Sequence, residues 1–265
     1  MVGSLQTMGS TRFQDRVAIV TGAGAPGGIG EAVAREFIAE GGRAVLGATS
    51  DRVHERAAEL GDAAVGAVAD LTVDGGAEHL VATALDRWGR IDVLVNNAGM
   101  TSVSSGWDAD GDVVELTRAD WDAALARNLT TAFLMSRAVV PVMSAAGYGR
   151  IVSVGSTTGT TNAMPGQSTY TAAKAGLIGL SRALALEVVQ NGITVNVVAP
   201  GYVETLSQLP FEASAAAGGP IGRSGSPSEV AACVLFLAHE TASFVTGTVL
   251  VVDGGHGLPE TWPRP

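Results

Sequence analysis

Short runs of consecutive apolar residues recur along the chain, most of them closed by glycine, asparagine, aspartate or proline. Residues 16–21 (RVAIVT), 44–48 (AVLGA), 65–69 (VGAVA), 91–95 (IDVLV), 151–154 (IVSV), 193–199 (ITVNVVA) and 249–252 (VLVV) have this form. Their apolar positions are contiguous rather than alternate, as in parallel strands covered on both faces. Between them lie stretches with helical character: 31–42, 51–60, 74–88, 117–145, a helix carrying Tyr170 to about Gln190, and 228–239. This alternation predicts right-handed crossovers and an α/β fold, a doubly wound parallel sheet of about seven strands with helices on both faces. No Pro/Ser linker, repeat or low-complexity tract interrupts it, so residues 12–258 are expected to form one domain. Residues 1–11 read as a flexible leader and 259–265 as a tail, while the acidic stretch Trp107 to Asp112 reads as a solvated loop.

Composition narrows the partners. Hydrophobic residues make up 46% of the 265 and charged ones 16%, which fits a large buried core. A net charge of −10 argues against nucleic acid and against anionic membrane surfaces. No apolar run reads as long enough to span a membrane, and the single cysteine, Cys233, reads as a core residue. These features point to the cytoplasm. The four histidines (His54, His79, His239, His256) have no metal-ligand spacing, so no metal is expected. A Gly-x-Ser-x-Gly elbow and a Lys-Ser or Lys-Thr after the glycine cluster are both missing, which excludes the usual serine-hydrolase and triphosphate-loop readings.

The candidate chemistry gathers at the ends of the strands. The first run leads into a glycine cluster, Gly22 to Gly30, and then a helix; backbone N–H groups and the helix dipole can there receive phosphate. Asp70, Asn96 to Gly99, Ser156 and Pro200–Gly201 close later strands, and in an open α/β sheet ligands bind at those ends. Tyr170 and Lys174 are four residues apart, on one face of a helix. A nearby ammonium favours the phenolate and lets a tyrosine exchange a proton near neutral pH. Asn128, within an apolar helical stretch that also holds Pro141, reads on its own as a kink. The segment from Tyr202 to Gly225, rich in Ala, Gly and Ser, reads as a long loop that could lie over a substrate.

In combination these residues resemble the short-chain dehydrogenase/reductase family, from Arg16 to about Leu258. The resemblance rests on Thr21-Gly22 with Gly28-Ile29-Gly30, Asp70, Asn96-Asn97-Ala98-Gly99, Asn128, Ser156, Tyr170-Thr-Ala-Ala-Lys174, Pro200-Gly201 with Thr205, and Val252-Asp253-Gly254-Gly255. The stretches QSTYTAAKAGLIGLSRALALEV and GITVNVVAPG are most similar to the branch containing 3-oxoacyl-carrier-protein reductases. It implies a Rossmann-like fold and hydride exchange between a nicotinamide cofactor and a carbonyl or secondary alcohol. Tyr170 would be the general acid or base, Lys174 would lower its pKa and hold the ribose, and Ser156 would hydrogen-bond the substrate oxygen. Asn128 would hold a water leading from Lys174 to solvent. Gly22, Gly28, Ile29, Gly30, Ala48, Thr49, Ser50, Asp70, Leu71, Asn97, Ala98, Gly99, Pro200, Gly201, Val203 and Thr205 would contact the cofactor, together with Tyr170 and Lys174.

Several departures from the family pattern stand out. Five residues, Ala23 to Gly27, separate Gly22 from Gly28 where three are usual. The interval from Ser156 to Tyr170 is one residue longer than in close relatives, which makes Thr157 the next candidate hydroxyl. The second strand ends in Ala48-Thr49-Ser50, with Arg52 nearby, where NAD-preferring members carry an acidic residue, and this favours NADP(H) over NAD(H). Basic residues that relatives carry before the fifth strand are replaced by Ser144-Ala-Ala-Gly-Tyr148, and Leu186 stands where an arginine is expected. A small-molecule ketone or alcohol is therefore expected rather than a carrier-bound acyl group. A 3-oxoacyl-carrier-protein reductase and a catalytically idle nucleotide-binding scaffold are the alternatives. Helices apolar nearly all round are buried in the core or against a partner, and the resemblance, whose members usually pair these helices, implies a homotetramer, with a dimer next.

Overall fold

The first strand, β1 (Val17–Thr21), divides its apolar side chains between two cores: Val17 and Ile19 join one, Ala18 and Val20 the other. Both faces of the sheet are therefore covered, which explains the contiguous apolar runs. The computed structural model of the protein describes residues 11–99 and 111–258. The leader through residue 10, the tail from 259 and most of the acidic stretch 107–112 lie outside them. After β1 come α1 (Ile29–Ala39), β2 (Arg43–Ala48), α2 (Arg52–Leu60), β3 (Ala64–Val68), α3 (Gly76–Trp88) and β4 (Val93–Asn96). There follow α4 (Arg118–Leu125), α5 (Thr131–Ala146), β5 (Gly149–Val154), α6 (Ser168–Val188), β6 (Ile193–Pro200), α7 (Pro210–Ala217), α8 (Pro227–Ala238) and β7 (Val249–Val252).

The seven strands form one parallel sheet in the order β3-β2-β1-β4-β5-β6-β7. Winding reverses between β1 and β4, so a crevice opens at their carboxyl ends. Residues of α1, α2 and α8 fill the core on one face; those of α3, α5 and α6 fill the other. Leu80 of α3 and Met135 of α5 are fully buried there, where truncation to alanine costs about 2–5 kcal/mol. At the amino ends of the strands Asp92 ties β1 to β4, accepting from the Val17 N–H at 2.9 Å and from Arg16 at 3.0 Å.

Several features differ from the sequence reading. The helix expected over 117–145 is broken by a π-helical turn, Ala126–Thr130, between α4 and α5. Pro141 lies inside α5 without ending it. The helical stretch Arg118–Ala146 is, by length and composition, apolar enough to cross a membrane, contrary to expectation. Met135, Val139 and Met143 bury one side of it in the sheet's second core. The segment read as a loop over 202–225 contains α7, started by Pro210 in its first turn and by Glu212, which accepts from the Leu209 N–H at 2.8 Å. Finally, α3 begins at Gly76 rather than Asp74, because Gly75 takes a left-handed conformation.

Candidate functional site

The carboxyl ends of β1 to β6 bring the expected residues to one edge of the sheet, in two groups. The first surrounds a cavity of about 430 Å³ lined by the ends of β1, β2 and β3, the turn after β4 and the π-helical turn. Of the expected cofactor residues, Gly22, Ala48, Thr49, Ser50, Asp70, Leu71, Ala98 and Gly99 line it. Arg52 also lines it, with its Nε donating to the Ser50 Oγ at 3.4 Å. Gly24 and Ala25 of the expected glycine cluster line it too, as do Thr72, Arg127 and Thr131, which were not singled out in the sequence. Arg127 was legible only as the neighbour of Asn128.

Close backbone packing builds the start of this cavity. A β-carbon on Gly30 would lie 2.7 Å from the Gly22 carbonyl oxygen and 2.6 Å from the Asn97 amide nitrogen, so only glycine lets α1 start this near β1. The longer loop folds into a turn, with the Gly28 N–H donating to the Ala25 carbonyl, and puts Gly24 and Ala25 on the cavity wall. Gly28 caps α1 without a side-chain hydrogen bond, so that helix start keeps the backbone donors an anion needs. The residues present therefore fit a dinucleotide phosphate. Asn97 itself does not line the cavity. Its side-chain amide donates to the carbonyls of Thr21 (3.0 Å) and Gly22 (3.1 Å), tying the end of β4 to the end of β1. The Asp70 carboxyl is held below the usual range, first by the Thr72 hydroxyl and amide that donate to it, with the charge of Arg127 adding to this.

The second group lies where β5 meets α6. Lys174 is 3% exposed, and its Nζ donates to the Val154 carbonyl at 3.0 Å. The same Nζ is 5.5 Å from the centre of the half-buried Tyr170 ring. Burial lowers the Lys174 pKa to about 8. Ser156 lies two residues past the end of β5, and its Oγ accepts from the Thr158 N–H at 3.1 Å. A tight turn follows, where the Thr157 carbonyl accepts from the N–H groups of Thr160, Thr161 and Asn162. The Thr157 side chain is buried, while Ser156 is half-buried.

That turn is seated on the helix. Gly159 has φ +88°, and a β-carbon there would lie 2.7 Å from the Thr171 carbonyl oxygen and 3.1 Å from the Lys174 Cβ. The π-helical turn is packed just as closely: a β-carbon on Gly176 would come within 2.9 Å of Leu129. The turn directs Asn128, 4% exposed, inward, with its Nδ2 donating to the Ala124 carbonyl at 3.2 Å. The kink reading of Asn128 is therefore true of the backbone, and the kink is what turns the side chain to the interior. Pro200 ends β6, the Gly201 N–H donates to the Val252 carbonyl, and Val203 and Thr205 follow beside β7 with the Thr205 N–H donating to the Val203 carbonyl.

Known proteins resemble the chain over most of its length. A family model described as enoyl-(acyl carrier protein) reductase matches residues 22–257. The chain is 38% identical over 248 residues to a 3-oxoacyl-[acyl-carrier-protein] reductase of Salmonella typhimurium, covering 92% of this chain and 98% of that protein. It is 40% identical over 249 residues to the protein of the same description from Vibrio cholerae, with 92% and 98% covered. It is also 38% identical over 258 residues to the (2S)-[(R)-hydroxy(phenyl)methyl]succinyl-CoA dehydrogenase subunit of Thauera aromatica, with 93% and 98% covered.

Proposed function

The chain belongs to the short-chain dehydrogenase/reductase family, and from that premise we propose that it interconverts a small-molecule ketone and a secondary alcohol using NADP(H). The observation that carries this reading is the buried Lys174 ammonium beside the Tyr170 ring at the open edge of the sheet. The bound nicotinamide supplies or accepts the hydride. Tyr170 gives a proton to the carbonyl oxygen in reduction and takes it from the hydroxyl in oxidation. Lys174 biases the phenol toward release of that proton. Ser156 donates to the same substrate oxygen and stabilises its developing charge. Asn128 steadies the proton route behind Lys174. The preference for NADP(H) rests on Thr49, Ser50 and Arg52, hydroxyls and a cation lining the cavity at the end of β2, where a carboxylate would repel a 2′-phosphate.

A free substrate is favoured by the surface near β5 and α6. Residues 144–148 carry no basic side chain, Leu186 is 82% exposed, and the chain is net acidic. An acidic carrier protein finds little complementary charge there. Reduction of carrier-bound 3-oxoacyl groups is the second reading, supported by the 38–40% identity to proteins described by that activity. The relative named for a coenzyme A thioester supports the first. The test measures loss of NADPH absorbance with free ketones, coenzyme A thioesters and a carrier-bound 3-oxoacyl group. A large preference for the carrier-bound form would make the second reading the correct one.

Exposed apolar residues support a homotetramer. Phe236 and Phe244 flank the outer strand β7, which itself exposes Val251, and Phe133 and Leu186 are exposed on α5 and α6. Two separate apolar faces suit two kinds of two-fold contact.

A further inference from the structure

The five residues after β7, Asp253 to Gly257, lie between two segments that leave the carboxyl edge of the sheet. On one side is the turn after Ser156: a β-carbon on Gly257 would lie 3.5 Å from both the Thr161 Oγ1 and the Asn162 Oδ1. On the other is the segment from the end of β6 that carries α7. A β-carbon on Gly254 would lie 2.5 Å from the Ile221 side chain, and one on Gly219 would lie 2.8 Å from the His256 Nδ1. The His256 ring also stands edge-on to Tyr202, with the ring centres 5.0 Å apart. The cavity left in this second seam is about 10 Å³, too small for a substrate.

One carboxylate holds these five residues in shape. Asp253 accepts from the Gly255 N–H with its Oδ1 and from the Gly257 N–H with its Oδ2, both at 2.9 Å. Its carbonyl accepts from the His256 N–H at 3.1 Å. Its side chain also backs onto the end of β6, where a β-carbon on Gly201 would lie 2.8 Å from the Asp253 Cβ. The turn on the far side of Gly257 aims Ser156 from two directions. The Thr158 N–H donates to the Ser156 Oγ at 3.1 Å, and the Thr160 hydroxyl donates to its carbonyl at 2.6 Å. We propose that Asp253 is a positioning residue for the carbonyl–alcohol reaction. By fixing residues 253–257 it holds the α7 segment and the turn that aims Ser156 in one arrangement on the substrate side. None of those five residues lines the cofactor cavity, so cofactor binding does not depend on them. This deepens the reading above and rests on it.

Hydrogen exchange of the full chain without cofactor tests the coupling directly. Asp253→Ala is expected to speed exchange at residues 157–162 and 204–222 together and to leave residues 22–30 unchanged. Faster exchange confined to residues 253–258, or spread over the whole chain, would overturn the inference. With ethyl 3-oxobutanoate as the ketone, the same variant is expected to lower kcat/KM by about tenfold, the weight of one charge-assisted hydrogen bond, while NADPH affinity holds. An unchanged kcat/KM, or an equal loss of NADPH affinity, would overturn it too. Asp253→Asn keeps one acceptor and should fall between wild type and alanine; a loss as large as alanine's would assign the effect to charge and overturn the positioning role. Gly257→Ala presses on the same carboxylate from 3.1 Å and should repeat the effect in weaker form, which serves if the alanine variant does not fold. A wild-type chain that reduces no ketone fails the functional reading above, and the exchange result still judges the coupling.

Discussion

The Lys174 Nζ donates to the carbonyl oxygen of Val154 across 3.0 Å, which joins α6 to the end of β5 through residues twenty apart in sequence. Val154 is the last residue of β5, and Lys174 stands one turn beyond Tyr170 on α6. The bond fixes the helix face against the strand tip, so that Tyr170 and Ser156 reach the same edge of the sheet.

The buried ammonium makes stability depend on pH with a definite sign. Lys174 has its pKa lowered to about 8 in the fold, by burial, from an ordinary value of 10.5. The unfolded chain therefore holds more protons than the folded one between about pH 8 and 10.5, and stability rises with pH across that window. The penalty is full below pH 8 and relieved above it. Urea unfolding of the cofactor-free protein and of Lys174→Met checks this: the wild type should gain on the variant between pH 7.5 and pH 10 or so, and a parallel pair of curves would contradict it.

Tyr170→Phe removes the proton donor while keeping the ring beside Lys174. The expected result is a kcat reduced by about 10²–10⁴-fold, the range of general acid–base contributions. Affinity for NADPH, followed by fluorescence, should change little. Turnover equal to wild type would remove Tyr170 from the mechanism.

The turn after Ser156 positions the catalytic helix, and a pair of glycine variants separates that effect from backbone strain. Gly159 has φ +88° and no room for a β-carbon, whereas Gly147 has φ +65° and open space around it. Gly147→Ala should cost only the left-handed penalty, about 1–2 kcal/mol. Gly159→Ala should cost more and also lower kcat, because the turn must lift from Thr171 and Lys174. Denaturation midpoints and steady-state rates for the two variants are the measurements.

Cofactor choice is expected to follow the end of β2. Thr49→Asp puts a carboxylate beside Ser50 and Arg52 on the cavity wall. Affinity for NADPH should fall by about tenfold or more while that for NADH holds or improves. Equal losses for the two cofactors would show that this wall does not read the 2′-position.

Much of this molecule was legible in its sequence because the relevant physics is local. A run such as Val93–Asn96, apolar and ended by polar residues, has few options besides a buried parallel strand, and seven such runs imply the sheet. A spacing of four on a helix is enough to put Tyr170 and Lys174 on one face. Other features depend on partners distant in sequence. Ala126–Thr130 contains nothing that distinguishes a π-helical turn from an α-helix; its packing on Gly99 and Gly176 accompanies the wider turn. The α7 helix has ordinary Ala-rich composition and no apolar stripe, so periodicity could not reveal it. The hydrogen bonds by which the Asn97 amide joins the end of β4 to the end of β1 could not be read from the sequence either. Sequence alone determined which segments become buried strands and amphipathic helices where the apolar pattern is strong, because that pattern depends on neighbouring residues. Tertiary structure decided which groups meet, such as Lys174 with Val154 and Arg127 with the cavity, because those contacts arise only when the elements close on one another.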